Sequence, residues 1–440
     1  MKIVKKAMSL CLSVLFLCLL FTSCGHRGSD IPSNSSQILD SSTGTSQEPI
    51  SSSPLLSCEV TGPGSSSPYG EAYHLDTDDP YMLHGFSSMM LAESDTGFYF
   101  IGHHINGAYL YYMPKDTMKP IPLCNKPNCL HAEREDDPHA TLQEINAARM
   151  ECNAYVDNIQ SLFFYKGSLY CIGNFDALSQ DQAFYRISPD GSQKEKLYSF
   201  RFAENYDENG NVISSIPNAS LVGNILAHRG YIYYIVQNSE NAVLYRLSIE
   251  QDNRQPEALY TYQHTDSFIQ RQIYRNYLYI GDINETGDMF FTRINLETGE
   301  KIEHMGTVGT NHPVLSFYEG KIFTTNDDKK DGLYLIDLDG NNLIKIPDPC
   351  SNIMGTVAGP YILGYDLSEE EMEKGQYTFT LYNSKGEIQG NFTVASEGEP
   401  YIEGASGNIL FLSLVTNGNR EHYYLDFSTQ TLSLFFSDTN

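Results

Sequence analysis

The chain has 440 residues, 41% hydrophobic and 19% charged, an ordinary globular composition whose length allows about three domains or one large all-β domain. Its 28 Lys+Arg against 55 Asp+Glu give a net charge of −27, which excludes a nucleic-acid binder that tracks phosphates. With 31 Tyr, 22 Phe, 34 Gly and no Trp, the mix favours twisted sheet over helix.

Residues 1–23 read as an export leader. Lys2, Lys5 and Lys6 form a basic start, residues 10–20 an apolar stretch, and Thr22 and Ser23 small positions before a cysteine. The apolar stretch is shorter than a membrane-spanning helix requires. The run Leu20-Phe21-Thr22-Ser23-Cys24 resembles the bacterial lipobox, which implies lipidation of Cys24. A plain cleaved leader or a retained anchor is the alternative. Residues 24–57 are rich in Ser, Thr, Asn, Gln and Pro, a composition that cannot bury enough apolar surface to order itself and reads as a tether. The expected location is the cell membrane, lipid-anchored, on its extracytoplasmic face. The mature chain loses three lysines with the leader, so the lipid rather than surface charge would hold it there.

After an N-terminal extension over 58–85, a repeat runs through residues 86–440. Its unit is a Gly or Asn turn, a Tyr/Phe/Ile strand, a polar gap, a second strand, an Asp-Gly or Thr-Gly turn and a third strand. The first strands fall at 97–101, 166–170, 229–234, 275–279, 319–323, 359–363 and 407–411; the second strands fall at 109–112, 183–187, 243–247, 290–294, 333–337, 378–382 and 423–426. Preceding strand candidates, such as 87–92, 161–165 and 314–318, bring each unit to four strands. Spacing of this kind predicts an all-β, seven-bladed β-propeller of four-stranded antiparallel blades. Two stacked β-sandwiches are the alternative. Within the strands Tyr and Phe are expected to pack between blades, with tyrosine hydroxyls reaching solvent at the rim; carbohydrate stacking on these rings is a further possibility.

One loop, 124–152, breaks the rhythm and is expected as an insertion between blades 1 and 2. It carries Cys124-Asn125-Lys126-Pro127-Asn128-Cys129-Leu130-His131 and then Glu151-Cys152-Asn153-Ala154. Leu142, Ile145 and Ala148 recur at three-residue spacing, predicting a short helix that returns Cys152 to the loop. Three thiolates and an imidazole make a closed tetrahedral zinc site. A disulfide between two of the three cysteines is the competing reading, favoured by export, with Cys58, Cys171 or Cys350 available to the third; unpaired thiols are the last. Cys171 sits in an apolar strand and reads as a small buried hydrophobe. His139, Glu133 and Asp137 are weaker ligand candidates. Either a metal or a disulfide would staple a long loop.

Together, the lipobox, the Ser-rich tether, Leu-Cys-Asn-Lys-Pro-Asn-Cys-Leu-His, Cys-Asn-Ala and the Gly-x-apolar-Tyr repeats resemble a group of surface lipoproteins of anaerobic Gram-positive bacteria. The resemblance covers nearly the whole chain. It implies an extracytoplasmic propeller without assigning an activity.

Catalytic patterns are missing from the sequence. There is no His-Glu-x-x-His, and Gly404-Ala405-Ser406-Gly407 lacks the spacing of a nucleophile elbow. Sialidase and quinoprotein propellers depend on tryptophans. Asp76, Asp78 and Asp79, and Asn326, Asp327, Asp328 and Asp331, read as solvated turns; Lys330 stands where a calcium loop needs a ligand. The expected function is therefore a binding or scaffold module for a glycan, peptide or protein partner. The alternative is a carbohydrate-active enzyme with paired carboxylates at the propeller channel, about 5 Å apart for retention or about 6.5–9.5 Å for inversion.

Overall fold

Tight Gly turns set the strand rhythm. At Lys166-Gly167 and Arg229-Gly230 both residues have positive φ, 43° and 75°, then 43° and 82°, which is the two-residue turn whose twist matches that of a β-hairpin. A computed structural model describes residues 90–439, apart from 135, 177–181, parts of 201–219, 239–240, 253, 263–269, 275–276, 284–288, 309–315, 319–320, 326–332, 347–352, 359–360, 367–372 and 384. The leader, Cys24, the tether and the extension lie outside these residues. So do Cys58, Cys350, Asp76, Asp78, Asp79, Asn326, Asp327, Asp328 and Asp331.

Seven antiparallel sheets follow one another along the chain, forming the expected seven-bladed propeller rather than sandwiches. Blade 1 contains β1 (Ala92–Glu93), β2 (Gly97–His104) and β3 (Gly107–Pro114); its outer edge is shared by β4 (Ile121–Pro122) and β5 (Tyr155–Val156), with helix α1 (Leu142–Met150) between them. Blade 2 is β6 (Asn158–Tyr165), β7 (Ser168–Asn174), β8 (Gln182–Ile187) and β9 (Lys194–Phe200). A separate hairpin, β10 (Asn205–Tyr206) and β11 (Val212–Ser214), precedes blade 3, which comprises β12 (Ser220–His228), β13 (Tyr231–Gln237), β14 (Ala242–Ser248) and β15 (Glu257–Thr261). Blade 4 is β16 (Gln270–Tyr274), β17 (Tyr277–Ile283), β18 (Met289–Asn295) and β19 (Lys301–Val308). Blade 5 is β20 (Ser316–Tyr318), β21 (Lys321–Thr325), β22 (Leu333–Asp337) and β23 (Ile344–Ile346). Blade 6 is β24 (Ile353–Ala358), β25 (Tyr361–Asp366), β26 (Gln376–Tyr382) and β27 (Ile388–Ala395). Blade 7 is β28 (Tyr401–Ser406), β29 (Ile409–Thr416), β30 (Asn419–Asp426) and β31 (Thr431–Ser437).

The core lies between blades, and the period-2 alternation of each strand explains why. In β7, Leu169 and Cys171 face blade 1 while Tyr170 and Ile172 face blade 3; β29 sends Leu410, Leu412 and Leu414 toward blade 6 and Phe411 toward blade 1. Successive side chains of a strand point to opposite faces, so every blade contributes to two seams. The described residues form seven buried clusters, one at each junction between neighbouring blades. Tyr and Phe pack in these seams as expected. Not every hydroxyl reaches a solvated rim, however: Tyr233, Tyr274, Tyr279 and Tyr318 are almost wholly buried, whereas Tyr112 and Tyr401 are not. With no Trp in the chain, tyrosine fills the volume of the seams as well as their edges.

Blade 7 is built from one contiguous segment, and among the described residues the circle closes through side chains and a short C-terminal clasp. Phe98 meets Phe411 edge-on at 4.9 Å, and Phe100 meets Phe436 at 5.4 Å; each such pair contributes about 0.5–1.5 kcal/mol beyond its buried area. Beyond β31, Asp438 Oδ1 accepts the His103 N–H at 3.0 Å, and the Thr439 N–H donates to the His103 carbonyl at 3.1 Å.

Candidate metal centre

The insertion leaves and rejoins the same strand edge. Tyr112 and Tyr111 pair with Ile121 and Pro122, then Tyr109 and Ala108 pair with Tyr155 and Val156. Between these pairs, the Leu123 N–H donates to the Leu110 carbonyl at 2.8 Å, and the Leu110 N–H donates to the Ala154 carbonyl at 2.7 Å. The outer strand of blade 1 is thus one strand in two pieces. As the sequence predicts, the insertion occupies the passage from blade 1 to blade 2. Cys124 and Cys152 stand next to its two roots, which Asn153 Nδ2 and Asn125 Oδ1 also bridge at 2.9 Å.

The loop then folds back on those roots. Asn128 and His131 take left-handed backbone, φ 61° and 49°, a conformation that Asn and His adopt more readily than most residues. These two reversals bring Cys129 and the 3₁₀ turn His131–Glu133 round toward Cys152. Asn106, in the turn between β2 and β3, donates to the carbonyls of Ala132 and Arg134 at 2.9 and 2.6 Å and fixes the turn to blade 1. Helix α1 forms where the sequence predicts it, for a different reason. Leu142 is 77% exposed, so no apolar stripe drives the helix; a capping box, Thr141 with Glu144, starts it. Its buried residue is Asn146, which donates to Asp176 Oδ1 at 2.8 Å.

One ligand atom from each of Cys124, Cys129, His131 and Cys152 lies within 4.8 Å of all the others. His131 Nδ1 is 3.4 Å from Cys152 Sγ. Thiolates and imidazoles bound to tetrahedral zinc at about 2.0–2.3 Å stand about 3.3–3.8 Å apart, so a small contraction brings all four onto one ion. The three cysteines are free thiols, and the group can hold a structural metal. Burial pushes His131 below the ordinary imidazole range, against a smaller opposing pull from Glu133; the neutral imidazole is the form that ligates. Burial pushes Cys152 up to about 12. For Cys124, burial is outweighed by the backbone N–H groups of Lys126 and Asn153 and by the neighbouring thiols, which hold it below the ordinary range. Glu133, Asp137 and His139 are exposed and stand apart from the four. Cys171 is wholly buried between blades 1 and 2, and burial raises its thiol to about 12.

Three cations escaped the sequence reading. Arg149 forks onto Asp136, Arg134 donates to the Ala148 carbonyl, and Lys194 donates to the Tyr155 carbonyl at 2.9 Å with its ammonium 4.0 Å above the Phe175 ring. Burial lowers Lys194 to about 8, while Cys171, Cys152 and Cys124 act on it in the opposite sense. A cavity of about 330 Å³ opens beside the cluster, bounded by Cys129, His131 and Cys152, by other side chains of the same loop and by Tyr109 of β3. No short motif flags these residues, because they converge only after the loop has folded.

A buried polar chain crosses blade 7. Ser413 Oγ donates to Glu403 Oε1 at 2.5 Å and lies 2.6 Å from His422 Nδ1, while His422 Nε2 is 3.2 Å from Asp438 Oδ2. The residue types are those of a hydrolase triad, but Glu403, Ser413 and His422 are no more than 1% exposed and lie inside the packed blade. The chain ties β28, β29 and β30 to the clasp residue Asp438.

No protein-family model matches the chain, and no curated protein aligns with it significantly. Solved structures resemble it at low identity. One of two prolyl endopeptidases is 9% identical over 84% of this chain and 51% of that one, with a TM-score of 0.52. TolB from Acinetobacter baumannii is 9% identical over 70% and 65%, at 0.39. An oligogalacturonate lyase from Vibrio parahaemolyticus is 12% identical over 62% and 75%, at 0.42. The chain therefore spans about half of the endopeptidase and 65% of TolB. What it shares with the endopeptidase is the fold alone.

Proposed function

We propose that this chain is a lipid-anchored, extracytoplasmic binding module in which Cys124, Cys129, His131 and Cys152 hold one structural Zn²⁺. The observation that carries this reading is the convergence of the four ligand atoms within 4.8 Å at the roots of an inserted loop. All four positions of a tetrahedral ion are then filled by protein, which leaves no open position for catalysis. A propeller supplies a rigid frame, and loops on such a frame carry recognition. The leader-like residues 1–23 and the Ser-rich segment before the propeller support attachment through Cys24, facing outward.

Two measurements test the reading. Cells fed a labelled fatty acid incorporate it into the wild-type chain and not into Cys24→Ala; equal labelling contradicts the anchor. The purified zinc-loaded domain, applied to glycan and peptide arrays, retains a ligand without converting it. Turnover of a sugar or peptide that disappears with Cys129→Ser contradicts the binding-module reading.

A further inference from the structure

We infer that the cavity beside the Cys/His cluster is a binding site for a small ligand that carries an oxyanion, a carboxylate or a phosphate. This inference rests on the reading of the propeller as a binding module and names the chemistry its site selects. In a chain of net charge −27, the cavity's lining among the described residues includes Lys126, Arg134 and Arg149 against the carboxylate of Glu151. Among the described lining side chains, cations outnumber carboxylates.

The cations differ in how much bonding capacity they retain. Arg149 spends its fork on Asp136 and serves to shape the wall. Arg134 uses one nitrogen, Nη1, on the Ala148 carbonyl, with Glu151 3.5 Å from the same atom; among the described residues nothing else engages its Nε or Nη2. Those two form an edge that matches a planar carboxylate or two phosphate oxygens. Lys126 donates once, to the Glu151 carbonyl, and an ammonium has three donors. Glu151 itself is 74% exposed at its side chain, so water solvates it and it screens Arg134 only weakly.

His131 adds a directed donor. Its Nδ1 is the atom beside Cys152 Sγ; with Nδ1 toward the metal, the proton sits on Nε2 and that N–H is free to donate. A zinc ion with three thiolates carries a net −1, which would oppose an anion. Lys194, which is not part of the cavity wall, lies within electrostatic reach of Cys124 and Cys152 and offsets that charge from elsewhere. The volume of about 330 Å³ lies at the small end of ligand sites and fits one sugar-sized molecule.

The test titrates the zinc-loaded mature protein with inorganic phosphate and with glucuronate at low ionic strength, by calorimetry, with metal content measured on each sample. Saturable binding of at least one anion is expected. Arg134→Gln weakens it by about tenfold or more, the scale of one charge-assisted pair; Lys126→Gln, an exposed position that leaves the fold intact, weakens it several-fold, and Lys385→Gln in blade 6 leaves it unchanged. If Arg134→Gln does not fold, Lys126→Gln decides. The preferred probe separates a phosphate site from a carboxylate site. Failure of both anions to bind, or wild-type affinity in Lys126→Gln and in a folded Arg134→Gln, overturns the inference. A chain that binds the anion but lacks zinc refutes the metal centre and leaves the anion site standing.

Discussion

Leu123 and Ala154 are neighbours on the edge of β3: Leu110 accepts the N–H of the first and donates its own N–H to the carbonyl of the second, at 2.8 and 2.7 Å. The chain between them makes a full excursion and returns to the same rung of the sheet. Closing a loop of that length costs chain entropy, and a metal held by Cys124 and Cys152 at the two roots, with Cys129 and His131 from the loop, would offset that cost. On the proposed reading the centre would act first on blade 1, holding together the two pieces of its outer edge, β4 and β5.

The seat of this splice reaches blade 2. Gly191 has φ +71°, and a Cβ there would overlap the Leu123 carbonyl. Gly191→Ala is expected to lose about 1–2 kcal/mol from left-handed backbone and about 1–3 kcal/mol from overlap. Urea unfolding measures the loss, and a variant as stable as wild type contradicts the packing of blade 2 on Leu123.

The ammonium of Lys194 lies within electrostatic reach of Cys171, Cys152 and Cys124. Lys194→Met keeps an apolar side chain beside Phe175 and removes the charge that would balance the thiolates of a bound metal. Competition with a chromophoric chelator should show zinc affinity lowered by about tenfold, at the lower end of the range for outer-shell partners. Unchanged affinity contradicts the charge-balancing role.

The circle's closure carries a pH dependence. Burial pushes the Asp438 carboxyl up, but bonds from His422 and the His103 backbone outweigh it and hold the group below its ordinary range. A carboxylate depressed in the folded state stabilises fully above the unfolded value, about 3.9, and loses that contribution as pH falls toward the folded value. Melting curves between pH 5 and pH 2 should therefore fall more steeply for wild type than for Asp438→Asn, which starts lower at neutral pH. Parallel curves contradict the clasp.

The blades were legible because their signal is local. The turn at Lys166-Gly167 and the alternation in residues 409–414 announce a hairpin and a two-faced strand within a few residues. The four candidate ligands were legible as residue types, three cysteines and a histidine in one polar loop, but the same loop read equally as a disulfide, and only the fold brings the four atoms together. The helix was found through Leu142, Ile145 and Ala148, although the Thr141–Glu144 box is what starts it. What stayed hidden is what register and long-range folding create. That Leu123 and Ala154 share Leu110 depends on strand pairing, Lys194 comes from another blade, and Asp438 meets His103 across nearly the whole chain. No window of sequence contains those pairs.

The most direct test of the metal centre is metal analysis of the purified mature domain, with thiols counted before and after chelation and before and after reduction. One zinc per chain is expected, with Cys124, Cys129 and Cys152 unreactive until a chelator removes the ion, and with zinc lost from Cys129→Ser. A metal-free chain whose thiol count rises by two on reduction would contradict the centre and establish a disulfide in its place.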